Sequence, residues 1–332
     1  MVELLDCTLR DGSNIVGAGF SGDITKKILE GLVKSGITVI EMGHSSGLGG
    51  NESGVKIAPL SDEEYMEIAT LFLSKAEIGM FCQPRHATTA GIKLAATKGL
   101  GFLRVGINAG DASKATDLIK EIRGHGIKVR TSLMKAYVLS PEELAEEAKI
   151  FETSGAQAVT IMDSAGYMVP DDVVEYVKTL RETVSIPVGF HGHNNLGLAV
   201  ANGIAAWKAG AASIDCGVMG MARSVGNIPT EAIIGVLQRF GEAFEYDLHT
   251  LLSFIDKDIM PPLKPYYTNP LPPVELILGI AGCHSNFLPI FKEVAEAYST
   301  DLYKLILDVS ACDRKAPSRE LIEAFAKKND KS

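Results

Sequence analysis

His191 and His193 stand two residues apart in the run IPVGFHGH (186–193). If that run is a strand, both imidazoles leave the same face, because side chains at i and i+2 of a strand do. Two imidazoles on one face can meet one ion. Asp11, in DCTLRDG (6–12), would bring a carboxylate from a nearby strand end. Two histidines and a carboxylate with open positions are the donor set of a catalytic divalent metal. Two hydrogen-bonded rim histidines would be spelled the same way. Arg10 adjoins Asp11, and a guanidinium beside a metal suits a 2-oxo acid: the ion polarises the ketone and the arginine holds an enolate oxygen. A plain Arg–Asp ion pair is the other reading of those two residues. Asp163-Ser164 offers either a hydroxyl to a substrate carboxylate or a polar helix cap. Lys135 reads as a partner for an anionic group or a neighbouring acid, since a metal makes a Schiff base redundant. Cys216, in SIDCGVM, reads as a packed thiol.

The elements that must position these residues alternate regularly. Strand-like runs occur at 2–8, 37–43, 76–83, 102–108, 128–134, 158–163, 186–193 and 213–219, with amphipathic helical segments such as ITKKILEGLVKSG between them. Gly36, Gly99, Gly126, Gly155 and Gly210 end helices just before the next strand, and Ser140-Pro141 starts one. Eight such units are the count of a TIM (β/α)8 barrel, an α/β fold whose catalytic groups gather at the C-terminal strand ends. A doubly wound sheet would carry a Gly-rich turn after its first strand, and here that turn is TLRDG. The strand ends then present Arg10 and Asp11, Glu41 and His44, Gln83, Arg85 and His86, Arg104 and Asn108, Lys135 and Tyr137, Asp163 and Ser164, His191 to Asn195, and Arg223, Ser224 and Asn227.

The barrel pattern covers 1–245 and a small C-terminal helical domain covers 246–332. They are joined through MPPLKPYYTNPLPP (260–273), whose six prolines predict a stiff linker or an irregular wrap. A net charge of −9 argues against nucleic acid as a partner. Five scattered cysteines spell neither a disulfide framework nor a zinc site. No apolar stretch reaches the ~18–20 residues that span a bilayer, so no membrane role is expected. The first residues lack a basic start and an apolar run, so the expected location is cytoplasmic.

DCTLRDG (6–12), IEMGHSSGLGG (40–50), IMDSAG (161–166), HGHNNLGLAVANG (191–203) and GMARSVGNIPTE (220–231) together resemble the DRE-TIM metallolyase superfamily. Within it the chain looks most like the 4-hydroxy-2-oxovalerate aldolases, and GIAGCHSNFL (279–288) resembles their C-terminal domain. The resemblance implies a divalent metal, usually Mn²⁺ with Mg²⁺, Co²⁺ or Zn²⁺ as alternatives, on Asp11, His191 and His193, with Asn227 as a further ligand. It implies that Arg10 stabilises a pyruvate enolate while Ser164 helps to hold the pyruvate carboxylate, with His191 beside the substrate. The implied reaction is reversible cleavage of a 4-hydroxy-2-oxo acid to pyruvate and an aldehyde. The implied partner is an acylating aldehyde dehydrogenase, and a homo-oligomer is expected.

The chain departs from the family at two places. Asn14 occupies the position of the family's catalytic histidine, and an amide is no useful proton acceptor. His284 occupies the position of a substrate-contacting tyrosine, so His284 is expected to have taken over as base, with His44 as a further candidate. The aldehyde pocket matches Phe81 and Gln83, with Arg85 and His86 just beyond, which implies a polar or anionic aldehyde. The alternative activity is Claisen condensation of an acyl-CoA with a 2-oxo acid, as in isopropylmalate synthases. A non-catalytic scaffold is the third reading, favoured by the missing histidine and disfavoured by the intact metal set.

Overall fold

The computed structural model describes residues 2–51, 54, 57–267 and 273–329. Eight parallel strands close in the order β1 to β8: Glu3–Asp6, Val39–Met42, Glu77–Cys82, Phe102–Asn108, Lys128–Met134, Ala158–Asp163, Val188–Gly192 and Ser213–Cys216. Closure is made by β1 against β8, with Asp6 opposite Cys216. Helices α1 to α8 follow the strands in turn: Gly22–Lys34, Asp62–Thr70, Thr89–Lys98, Thr116–Gly124, Pro141–Thr153, Pro170–Thr183, Ala199–Lys208 and Thr230–Arg239. The chain is therefore a (β/α)8 barrel, as its alternation predicts. Local chemistry sets the boundaries. Ser140 caps α5 in a full capping box with Glu143 and has Pro141 behind it. The five helix-ending glycines all have φ between 78° and 102°.

Period-two alternation stacks the barrel interior in layers. At the N-terminal ends, Arg130 pairs with Glu3 at 2.6 Å and Lys128 with Glu77 at 3.0 Å. Above them Leu5, Cys7 and Phe102 form a small apolar plug. Above the plug the inward positions are charged: Glu41 of β2, Arg104 of β4 and Asp215 of β8 are all buried. The C-terminal strand ends lie on top of that layer.

Beyond residue 245 come α9 (Leu248–Phe254), a wider turn at Ile255–Ile259 and the single turn α10 (Met260–Leu263). Leu251, Phe254, Ile255, Ile259 and Leu263 pack in the barrel's own apolar cluster, so that cluster runs on past 245 to Leu263. Gly31 of α1 makes room for this, because a Cβ there would sit 2.4 Å from the Phe254 ring. Of the Pro-rich segment, the Tyr267 hydroxyl donates to Met219 O at 2.6 Å, while 268–272 lie outside the described residues. Helices α11 (Pro273–Ala281), α12 (Leu288–Ala297), α13 (Leu302–Cys312) and α14 (Arg319–Asn329) build a second apolar cluster around Phe291, Leu305, Ile306 and Ile322. This helical unit sits over the mouth of the barrel: Lys135 Nζ, from the loop after β5, donates to Lys315 O at 2.7 Å. No helix among the described residues is long and apolar enough to cross a membrane.

Candidate active site

A cavity of about 570 Å³ opens at the C-terminal strand ends, between the barrel and the helical unit. At its floor Asp11, His191 and His193 each offer one ligand atom, all within 4.8 Å of one another. Asp11 Oδ2 stands 3.6 Å from His191 Nε2 and 3.7 Å from His193 Nε2. The two rings meet edge to face, 5.2 Å apart. Asp11 is placed by the tight turn after β1, where its N–H and that of Arg10 donate to Cys7 O. Burial opposes charge on Asp11, but Arg10, His193, Arg223 and His191 outweigh it and hold the carboxyl well below its usual range. Burial, and then Arg223, keep His193 well below the usual imidazole range, so it is neutral, the ligating form.

These residues fit a divalent ion. His193 Nδ1 and Asn227 Oδ1 are buried without a hydrogen-bond partner among the described residues, and Asn227 Nδ2 donates to Asp11 Oδ2 at 2.9 Å. The oxygen of Asn227 is thus a spare donor beside the set. Cys7, His191 and Asp215 also converge, but Arg104 donates to both Asp215 and Cys7 Sγ. Burial holds the Cys7 thiol far above its usual range, so it is protonated and no thiolate is available there.

A buried chain of charge braces the floor. Arg10 Nε donates to Glu41 Oε1 at 2.5 Å, and Arg104 Nε donates to Glu41 Oε2 at 2.5 Å. Arg104 Nη1 donates to Asp215 Oδ2, and the same oxygen pairs with His191 Nδ1 at 3.0 Å. Asp215 thereby fixes which nitrogen of His191 faces the metal set, the role a carboxylate behind a ligating histidine plays. Burial pushes the Asp215 carboxyl up, but Arg104 and His191 overcome this and bring it to about 2. Asp215 was absent from the strand-end residues singled out from sequence. Alternation in SIDCG carried the signal, since it puts 213, 215 and 217 on the inner face.

Arg10 spends Nε on Glu41 and holds Nη1 3.2 Å from Asp11, while Nη2 is buried without a hydrogen-bond partner among the described residues. Its guanidinium lies 4.9 Å from the centroid of Phe81. Gly106 of β4 lets that ring lie there, because a Cβ would come within 2.0 Å of it. Ser164 Oγ accepts the Lys135 N–H at 2.9 Å, which leaves its own hydroxyl proton free to donate. Asp163 instead accepts the N–H groups of Tyr167 and Met168, the capping reading of that pair.

Gln83, Arg85, Ser164 and His284 line the cavity with Arg10, Asp11, His191 and His193. His44 does not. It is fully buried beside the cavity wall, with Nε2 2.9 Å from Asp62 Oδ1, and Asp62 also accepts the Gly49 N–H. His284 Nδ1 accepts the Asn286 N–H at 3.1 Å, so the neutral ring carries its proton on Nε2. Burial, Arg223 and Lys135 keep this ring well below the usual imidazole range. A ring in that state is a hydrogen-bond donor at Nε2 and a poor proton acceptor. Asn14 Nδ2 donates to Asp11 O at 2.9 Å.

Residues 1–257 match the HMGL-like family. The 4-hydroxy-2-oxovalerate aldolase of Carboxydothermus hydrogenoformans is 33% identical over 309 residues, 93% of this chain and 91% of that protein. The 4-hydroxy-2-oxovalerate aldolase of Moorella thermoacetica is 34% identical over 310 residues, 93% of this chain and 90% of that protein. Among solved structures, the carboxyl transferase domain of Rhizobium etli pyruvate carboxylase superposes with a TM-score of 0.76 at 16% identity, over 98% of this chain and 59% of that one. An N-terminal domain from Bacteroides vulgatus superposes with a TM-score of 0.73 at 22% identity, over 90% and 98%. The superpositions speak for the barrel alone. The sequence matches, which run through the metal set and the RDG turn, make this chain a member of the HMGL-like family.

Proposed function

We propose that this chain is a divalent-metal-dependent carbon–carbon lyase that forms and cleaves a 4-hydroxy-2-oxo acid, with pyruvate and an aldehyde as the other side of the reaction. The observation that carries the reading is the convergence of Asp11, His191 and His193 at the floor of the cavity, with the Arg10 guanidinium 3.2 Å from Asp11. A divalent cation held there by those three residues, with Asn227 beside them, supplies Lewis acidity toward a 2-oxo carbonyl. Arg10 brings its unpartnered Nη2 to the enolate oxygen of pyruvate. Ser164 donates its free hydroxyl proton to the pyruvate carboxylate. His284 donates Nε2–H to the aldehyde oxygen, as a neutral imidazole that polarises a carbonyl, in place of the base expected from sequence. Asp11, His191, His193, Arg10, Ser164 and His284 all line the one cavity.

Mn²⁺ as the ion, a homo-oligomeric state and an acylating aldehyde dehydrogenase as partner follow from the family resemblance. A cytoplasmic location accords with four free, buried thiols, Cys7, Cys82, Cys216 and Cys283.

The test is product formation from pyruvate, Mn²⁺ and a panel of aldehydes, read by mass spectrometry. The expected product is a 4-hydroxy-2-oxo acid whose mass is the sum of the two reactants. His284→Ala should lower aldol cleavage by roughly 10²–10³, the usual cost of a lost donor to a developing oxyanion, while proton exchange at pyruvate C3 persists. Release of free CoA from pyruvate plus acetyl-CoA, without any aldol product, would replace the aldolase reading with the condensing one.

A further inference from the structure

Positive charge gathers in the cavity of a chain whose net charge is −9. Arg10, Arg85, Lys114, Lys135 and Arg223 line it, and Asp11 is the one carboxylate among its lining residues. Barrel geometry divides these cations. The metal set comes from the ends of β1 and β7, and Arg223 joins it from the loop after β8, with Nη2 donating to Ser164 O at 2.9 Å and Nη1 3.7 Å from Asp11. Arg10 and Arg223 therefore belong to the half that takes pyruvate. The other half lies over β3, β4 and β5, where the next reactant must approach, and there the charges are Arg85, Lys114 and Lys135.

Lys114 is answered by Asp111 at 2.8 Å. Lys135 forms no salt bridge with a carboxylate among the described residues, although Asp313 and Asp111 lie near enough to feel its charge. Its Nζ donates to the carbonyl of Lys315 and lies 5.3 Å from the Phe287 centroid. Its backbone lies in the left-handed region, φ 56°, a conformation that costs a non-glycine residue free energy. Burial, with Lys315 and Arg223 nearby, outweighs the opposing pull of Asp313 and brings its pKa down to about 8. Arg85, exposed at the mouth, makes no ion pair among the described residues. Gln83, Asn108 and Asn286 add amide groups to the same half. A cavity of about 570 Å³ is in the range that encloses ligands much larger than pyruvate with a two-carbon aldehyde.

We infer that the aldehyde adding to pyruvate carries an anionic group of its own, a carboxylate or a phosphate, and that Lys135 and Arg85 bind it over β3–β5. The inference rests on the aldolase reading above and names its second substrate. The step balances without an oxidant or reductant: pyruvate C3 gives up a proton and bonds to the aldehyde carbon, and the aldehyde oxygen gains a proton. An anion on this half would supply the salt-bridge partner that Lys135 and Arg85 lack among the described residues, whereas Arg10, Arg223 and Lys114 already face carboxylates.

The test compares kcat/KM of the Mn²⁺-loaded protein for matched aldehydes: succinic semialdehyde against its methyl ester, and glycolaldehyde phosphate against glycolaldehyde. One charge-assisted contact gives the anionic member roughly a ten-fold or greater preference, and the pair that shows it identifies carboxylate or phosphate. Lys135→Met should bring that ratio down toward one. Arg85→Glu, at an exposed position that does not bear on folding, should do so as well. Equal use of charged and neutral members, or variants that depress both members alike, would overturn the inference. Deuterium exchange at pyruvate C3, run in parallel without aldehyde, separates the two layers. Exchange with no anion preference refutes the second substrate alone, whereas absence of exchange refutes the aldolase reading beneath it.

Discussion

Replacing Arg104 with methionine is expected to destabilise the protein by about 3–5 kcal/mol and to remove its activity. Arg104 is the largest fully buried side chain among the described residues, and it holds Glu41 with Nε and Asp215 with Nη1. Burial alone would lower its pKa, but Asp215 and Glu41 outweigh that and raise it well above the usual guanidinium value. Methionine fills much of the volume and leaves two carboxylates buried among apolar neighbours with one fewer cation. Such a stranded charge is what makes breaking a buried pair so much more costly than replacing the whole pair. Arg104→Met combined with Asp215→Asn should therefore recover part of the lost stability. It should not recover activity, because Asp215 sets the ring of His191 and Glu41 sets Arg10. Chemical denaturation of the single and double variants reads the first effect. A double variant less stable than the sum of its parts would argue against the network.

Asp11→Asn should abolish tight binding of the divalent ion and, with it, turnover. The substitution keeps the side-chain volume and removes the charge that faces His191 and His193 at 3.6 and 3.7 Å. It also leaves Arg10 and Arg223 facing the site with their shared acid gone, and two guanidiniums repel a cation. Metal content after gel filtration, measured by mass spectrometry, should fall from near one ion per chain to background. Retention of a stoichiometric ion by Asp11→Asn would move the metal elsewhere.

The barrel was legible because every strand announces itself by β-rich composition and five of the eight barrel helices stop at a glycine just before the next strand, and neither signal needs tertiary information. His191 and His193 were legible for the same reason: their spacing alone puts them on one face. The bracing charges were less so. Glu41 and Arg104 stand out as polar residues in strands, but what they touch depends on closing β1 against β8, which brings residues separated by 111 positions into contact. His44 lies at the expected strand end, yet the loop turns it toward Asp62 at the start of α2, and no local pattern specifies that turn. His284 reaches the cavity from the C-terminal helical unit, as the resemblance implies. Its proton placement depends on one backbone N–H, that of Asn286, and no local sequence pattern specifies that contact.

The central claim is that Asp11, His191 and His193 hold a metal against which Arg10 stabilises the enolate of pyruvate. Deuterium incorporation at C3 of pyruvate in D₂O, followed by mass spectrometry without any aldehyde, tests it most directly, because this step precedes carbon–carbon bond formation and ignores the identity of the second substrate. The prediction is exchange that requires the ion: present with Mn²⁺, lost on chelation, restored on adding Mn²⁺ back, and slowed roughly 10²–10³-fold in Arg10→Lys, since an ammonium lacks the guanidinium's fork. Exchange that survives chelation, or its absence from the metal-replete protein, would contradict the account.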